Sequence, residues 1–170
     1  RFRKGDIYST SPFIGPDGKI IDIFRKAHVF PWEPQGSNCR PGNALPVYET
    51  KYGIFGILIC HDPMIAEPAR VLALKGAEVI LIPSMMPMPF LIPWKNFMRV
   101  RALENQVYIV SSGVAGKPAC GTIIVAPKFS DDILAEASLE NQETIYADLD
   151  LAWLRESRKD SPLYHRAFRS

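Results

Sequence analysis

The sequence predicts an α/β domain built around a mixed sheet with helices layered on it. Three observations carry that prediction. Apolar runs of strand length alternate with stretches of helical periodicity through the middle of the chain, and two antiparallel hairpins precede them. One run, residues 77–83 (Ala-Glu-Val-Ile-Leu-Ile-Pro), is apolar without alternation, as a strand covered on both faces must be.

Residues 6–15 alternate and end in Pro16-Asp17-Gly18, where proline presets φ and glycine tolerates a positive φ; residues 20–25 resume as a strand, giving the first hairpin. Residues 26–44 form a long Pro- and Gly-rich connection, expected to be ordered because it carries Phe30 and Trp32. Residues 46–50 and 52–60 read as a second hairpin around Lys51. A mostly apolar helix follows over 65–75 and stops at Gly76. After the buried strand comes a Pro- and Met-rich loop over 84–93. Trp94, Phe97, Met98, Arg101 and Ala102 then recur at helical spacing to about Asn105. Strands are expected over 107–112, near 121–126, over 133–137 and over 144–148, with a short helix over 149–158.

With 170 residues the chain is one domain, large enough to bury a substantial core. Its 20 Lys and Arg against 18 Asp and Glu, interspersed, argue against a nucleic-acid groove or a membrane-binding face. No apolar run approaches the ~18 residues of a membrane-crossing helix, and no signal-peptide pattern is present. The three cysteines, Cys39, Cys60 and Cys120, are widely spaced and fit neither a disulfide framework nor a metal site. A reducing, cytoplasmic setting is therefore expected. Three isolated histidines and no carboxylate cluster predict no metal, and no cofactor is expected.

Cys60 is the most informative residue. It closes the apolar run 56–60 and is followed at once by His61 and Asp62. Open α/β folds place their chemistry at such strand ends, and a thiolate's reactivity is set by nearby charge. Lys26 ends the preceding strand, and Glu33 follows seven residues later. If the two strands are neighbours, the three residues converge at one rim of the sheet, where a lysine lowers a thiol pKa or stabilises an oxyanion. Spacing alone favours a solvated Lys–Glu pair over that convergence.

The segment Phe24-Arg25-Lys26-Ala27-His28 resembles the lysine segment of the nitrilase superfamily, the carbon–nitrogen hydrolases. Arg40-Pro41-Gly42, the nucleophile segment 53–62, Glu67 and Arg70 at Cys-x6-Glu-x2-Arg spacing, the run 73–78 and the run 99–105 add to it in order. The resemblance implies a four-layer α-β-β-α sandwich and a Glu-Lys-Cys hydrolase of non-peptide C–N bonds. Cys60 would be the nucleophile, Lys26 the oxyanion stabiliser, Glu33 the supporting glutamate, and the backbone N–H of His61 a further oxyanion donor. The family's first glutamate lies upstream of its lysine, and no glutamate precedes Lys26 here. Residues 1–170 are therefore expected to be the C-terminal three-fifths or so of a single hydrolase domain.

His61-Asp62 replaces the Trp-Glu of true nitrilases, which disfavours nitriles. Pro63-Met64 replaces the arginines of carbamoyl-amino-acid hydrolases. A small neutral amide fits best, with an N-carbamoyl amide or a catalytically silent binding subunit as alternatives. The apolar loop 84–94 could line an acyl pocket or fill an interface or core. His28 offers a rival Cys–His dyad, while His61, adjacent to Cys60, points the other way. His165 is expected at the surface, and Cys39 and Cys120 as packed thiols. The resemblance further implies a homodimer or higher homo-oligomer, with a small-molecule amide as the other partner.

Overall fold

The computed structural model describes residues 5–30, 39–86, 88–116 and 121–161. Trp32, Glu33, Cys120 and His165 lie outside the described residues. The first hairpin forms as expected, from β1 (Thr10–Ile14) and β2 (Ile20–Arg25). Six further strands make one mixed sheet in chain order: β3 (Val47–Thr50), β4 (Gly53–Ile57), β5 (Val79–Pro83), β6 (Tyr108–Ser112), β7 (Ile123–Val125) and β8 (Ile133–Glu136). The pairs β4–β5 and β5–β6 are parallel; the outer pairs are antiparallel.

Strand parity decides the layers. On β5 and β6, Ile80, Ile82 and Ile109 point to one face and pack beneath α1 (Ala66–Leu74) and α2 (Leu91–Asn105), against Leu72, Trp94 and Met98. Val79 and Tyr108 point to the other face, where Leu154 of α3 (Leu151–Asp160) covers them. The hairpin lies on this second face too. Its Phe24 is buried with Tyr48, Ile57 and Ile59, and its Phe13 stacks on Tyr48 with centroids 4.6 Å apart. Helices, six-stranded sheet and hairpin thus form successive α, β and β layers, and the expected non-alternating pattern of residues 77–83 follows from cover on both faces.

The end of α1 falls where the sequence puts it. Gly76 adopts φ +100°, donates to the carbonyl of Ala73 at 2.9 Å, and lets the Ala77 N–H reach the carbonyl of Leu72 at 3.0 Å. Those two bonds satisfy carbonyls that a helix terminus would otherwise leave open.

Two expectations need correction. The second helix begins at Leu91, after a 3-10 turn over Met88–Phe90, inside the segment read as loop. Pro93 does not prevent this, because N–H groups of a first helical turn have no intrahelical acceptor. The strand expected over 144–148 does not form: among the described residues nothing pairs with it. Its burial alternates, with Ile145 and Ala147 half-buried and Tyr146 exposed. The period of two is real, but a strand also needs a neighbour for its backbone groups. No helix among the described residues is long and apolar enough to cross a membrane.

Candidate active site

Cys60 stands where the sheet stops. Beyond the end of β4 the pairing with β5 continues by two bonds, Leu58 N–H to the Leu81 carbonyl and Cys60 N–H to the Pro83 carbonyl, both 3.0 Å. Cys60 itself then turns to φ +48°, a left-handed conformation. For a residue with a Cβ that conformation costs ~1–2 kcal/mol and persists only where the surroundings enforce it. The thiol is half-buried and touches the cores on both faces of the sheet. A 3-10 turn over Asp62–Met64 leads into α1.

Asp62 enforces the turn. It is fully buried, and its Oδ2 accepts from the Ile59 N–H at 2.9 Å. Its own N–H donates to the Ile59 carbonyl at 3.1 Å. Cys60 and His61 are therefore bracketed by reciprocal bonds between the residues flanking them.

Lys26 leaves β2 clamped on both sides. Its N–H donates to the Ser9 carbonyl at 2.9 Å, and its carbonyl accepts from the Gly42 N–H at 2.7 Å. Its side chain is buried, 2% exposed, an uncommon place for a lysine outside functional or paired settings. The two segments meet two residues further on: Asp62 Oδ1 accepts from the His28 N–H at 2.7 Å and lies 3.2 Å from His28 Nδ1. The two strands are not neighbours in one sheet, as the sequence reading supposed: Lys26 leaves the two-stranded hairpin sheet and Cys60 an inner strand of the six-stranded one, and the Asp62–His28 bond joins the two segments across the layers.

The His61 ring faces Phe30 edge-on, centroids 4.6 Å apart, with Nδ1 3.4 Å from Met64 Sδ. On α1, Glu67 is exposed while Arg70 Nη2 donates to the Glu104 carbonyl at 2.8 Å. Glu33 cannot be placed, since it lies outside the described residues. Beside the lysine segment an open cleft of about 600 Å³ is lined by His28, Gly42, Leu45, Val71 and Lys75 among others. Cys60 does not line it. Among the described residues no three His, Cys, Asp or Glu side chains gather as a metal site requires.

Two residues that organise this region carry no assigned role in the sequence reading. Asp62 had a signal, an acid directly after a buried strand and before a proline. Arg101 had one too, a guanidinium on the apolar stripe of a helix. Buried, it donates from Nε to the Pro63 carbonyl at 2.9 Å and from Nη1 to Glu104 at 2.7 Å. Tyr48, under the thiol's neighbours, donates to Asp22 at 3.1 Å. Burial, then that hydrogen bond and the charge of Asp22, push its phenol well above the ordinary range, so it is a neutral structural donor.

A family model described as carbon–nitrogen hydrolase matches residues 1–159. Omega-amidase NIT2-B of Xenopus laevis is 31% identical over 173 aligned positions, covering 94% of this chain and 62% of its own length. Omega-amidase NIT3 of Saccharomyces cerevisiae is 36% identical, covering 92% and 58%. The crystal structure of S. cerevisiae Nit3, described as a member of branch 10 of the nitrilase superfamily, superposes with a TM-score of 0.81 at 35% identity, over 94% of this chain and 59% of that one. A carbon–nitrogen hydrolase from Helicobacter pylori G27 superposes with a TM-score of 0.83 at 23% identity, a likeness of fold, over 95% and 63%. The chain spans about three-fifths of the length of the curated relatives it matches.

Proposed function

The chain belongs to the carbon–nitrogen hydrolase family, and on that premise we propose that it hydrolyses the C–N bond of a small neutral amide through Cys60. The observation that carries the reading is the left-handed Cys60, presented at the end of a parallel strand on a turn bonded directly to the Lys26 segment. The relatives named omega-amidases favour an amide over a nitrile or a carbamoyl substrate.

In this reading the Cys60 thiolate attacks the amide carbon, and the carbonyl π pair moves onto oxygen. The Lys26 ammonium and the His61 backbone N–H stabilise the oxyanion. The C–N bond then breaks, the nitrogen takes a proton, and ammonia leaves a thioester on Cys60. Water attacks the thioester, giving the carboxylic acid and the free thiol. Glu33 supports Lys26, which a carboxylate keeps charged and oriented. The acceptor of the thiol proton is expected upstream of the lysine by the resemblance and is not among residues 1–25, which contain no glutamate. The second reading is a silent binding subunit of the same fold. A homodimer or larger homo-oligomer belongs to the proposal as well.

The test is ammonia release from small amides by the intact protein, beside thiol alkylation resolved by mass spectrometry. Hydrolysis that vanishes in Cys60→Ser, with Cys60 alkylated faster than Cys39 and Cys120 and protected by the amide, supports the enzyme. No ammonia and equal, slow labelling of all three thiols would establish the silent subunit instead.

A further inference from the structure

The buried carboxylate of Asp62 is used by nothing in the reaction just described, yet it ties together the two segments that carry its named groups. Its Oδ2 accepts from the Ile59 N–H at 2.9 Å. Its Oδ1 accepts from the His28 N–H at 2.7 Å and lies 3.2 Å from His28 Nδ1. The first contact spans the turn that carries Cys60. The other two reach across 34 residues of sequence to the strand exit that carries Lys26. A fully buried carboxylate is costly to desolvate and is tolerated where several donors converge on it.

We propose that Asp62 is a positioning residue that sets the separation of the Cys60 thiol from the Lys26 ammonium. The inference rests on the roles proposed for those two groups. The argument is geometric. Cys60 holds a conformation that costs energy, so the turn relaxes if the bond across it is lost. Lys26 is two residues from His28, so a shift of the His28 backbone moves the lysine's Cα with it. One carboxylate fixes both. With His28 Nδ1 donating to Asp62, the ring tautomer and orientation are fixed too, which makes His28 an extension of the tie rather than a base for the thiol.

Asp62→Asn is the decisive variant. Its size is unchanged, but the amide offers one acceptor oxygen where the carboxylate offers two, so the Ile59 and His28 contacts cannot both survive. A displacement near 1 Å between reacting groups costs on the order of 100-fold. The expected result is a kcat lower by roughly 10- to 100-fold at nearly unchanged KM. Cys60 alkylation by iodoacetamide should slow in parallel in folded protein. Adding His28→Ala to Asp62→Asn should change little more, because the two share one contact. Wild-type kcat and alkylation rate per folded molecule in Asp62→Asn would overturn the proposal, whatever happens to the melting temperature. If Asp62→Asn does not fold, Asp62→Glu carries the same test: it keeps two acceptor oxygens but moves them by one methylene, so a wild-type alkylation rate there counts against the proposal. Alkylation needs no substrate. Absence of amidase activity in the wild type would sink the proposed function while leaving this measurement readable.

Discussion

The guanidinium of Arg101 donates from Nε to the carbonyl oxygen of Pro63 at 2.9 Å, fastening α2 to the turn three residues beyond Cys60. Both partners are buried. Replacing Arg101 with Met keeps most of the stem's volume but leaves that carbonyl without its donor and the Glu104 carboxylate with the Asn105 amide at 3.2 Å in place of the guanidinium. An unsatisfied buried acceptor costs ~1–3 kcal/mol. Arg101→Met should therefore lower the urea midpoint by an amount worth about 2 kcal/mol, with an unchanged m-value showing that the unfolded state is not what moved.

Glu78 and Arg155 make a two-pronged pair between the start of β5 and α3, at 2.5 and 3.1 Å, and Glu78 also accepts from the Ile54 N–H at 3.0 Å. Burial alone would raise the Glu78 pKa. The hydrogen bonds from Arg155 and Ile54 and the charges of Arg155 and Arg158 outweigh it and hold the carboxyl below its ordinary 4.5. A depressed folded-state pKa means that the stabilisation is complete above the unfolded value and is lost as pH falls through the folded one. Glu78→Gln should be less stable than wild type at pH 7, and the gap should close as the solution is taken below pH ~4. Parallel urea titrations across that range decide it; a gap constant with pH would refute the assignment.

Lys26 separates the proposed mechanism from its Cys–His rival. Lys26→Met removes the ammonium and keeps an unbranched side chain in the buried slot. Loss of one oxyanion donor costs ~100- to 1,000-fold in kcat, so amide hydrolysis should fall by that much while the far-UV spectrum is retained. A Cys–His dyad predicts the opposite: Lys26→Met active, His28→Asn dead. Steady-state kinetics of the two variants side by side distinguishes them.

Much of the fold was legible because its signals are local. The Pro16-Asp17-Gly18 turn, the doubly covered strand within residues 77–83 and the Gly76 stop each depend on a few neighbouring residues, and each stands where the sequence put it. Cys60 was legible for the same reason, as a thiol ending an apolar run. The contact between Asp62 and His28 was not. It spans 34 residues, and a lone Asp after a strand looks the same whether it faces water or a distant backbone N–H. The strand expected over 144–148 failed likewise: alternation shows that one face of a segment is covered, but pairing depends on which edge lies beside it.

Gly42 tests how tightly the lysine is held. Its N–H donates to the Lys26 carbonyl at 2.7 Å. A Cβ there would lie 2.4 Å from the Arg25 carbonyl oxygen and 2.8 Å from the Arg25 Cβ. The first of these atoms is backbone and cannot rotate away, so Gly42→Ala must push the 40–42 segment off the strand exit or drag the Lys26 peptide with it. Overpacking of this kind costs ~1–3 kcal/mol. Gly56→Ala is the matched control: its Cβ would meet Leu72 Cδ1 at 2.8 Å, a side-chain atom rather than backbone. Both substitutions remove the same backbone freedom from the unfolded chain, so that contribution cancels between them. Gly42→Ala should lose more stability than Gly56→Ala and should alone lose kcat, by about tenfold or more if Lys26 is displaced. Equal kinetics in the two variants would show that the lysine keeps its place without the 40–42 clamp.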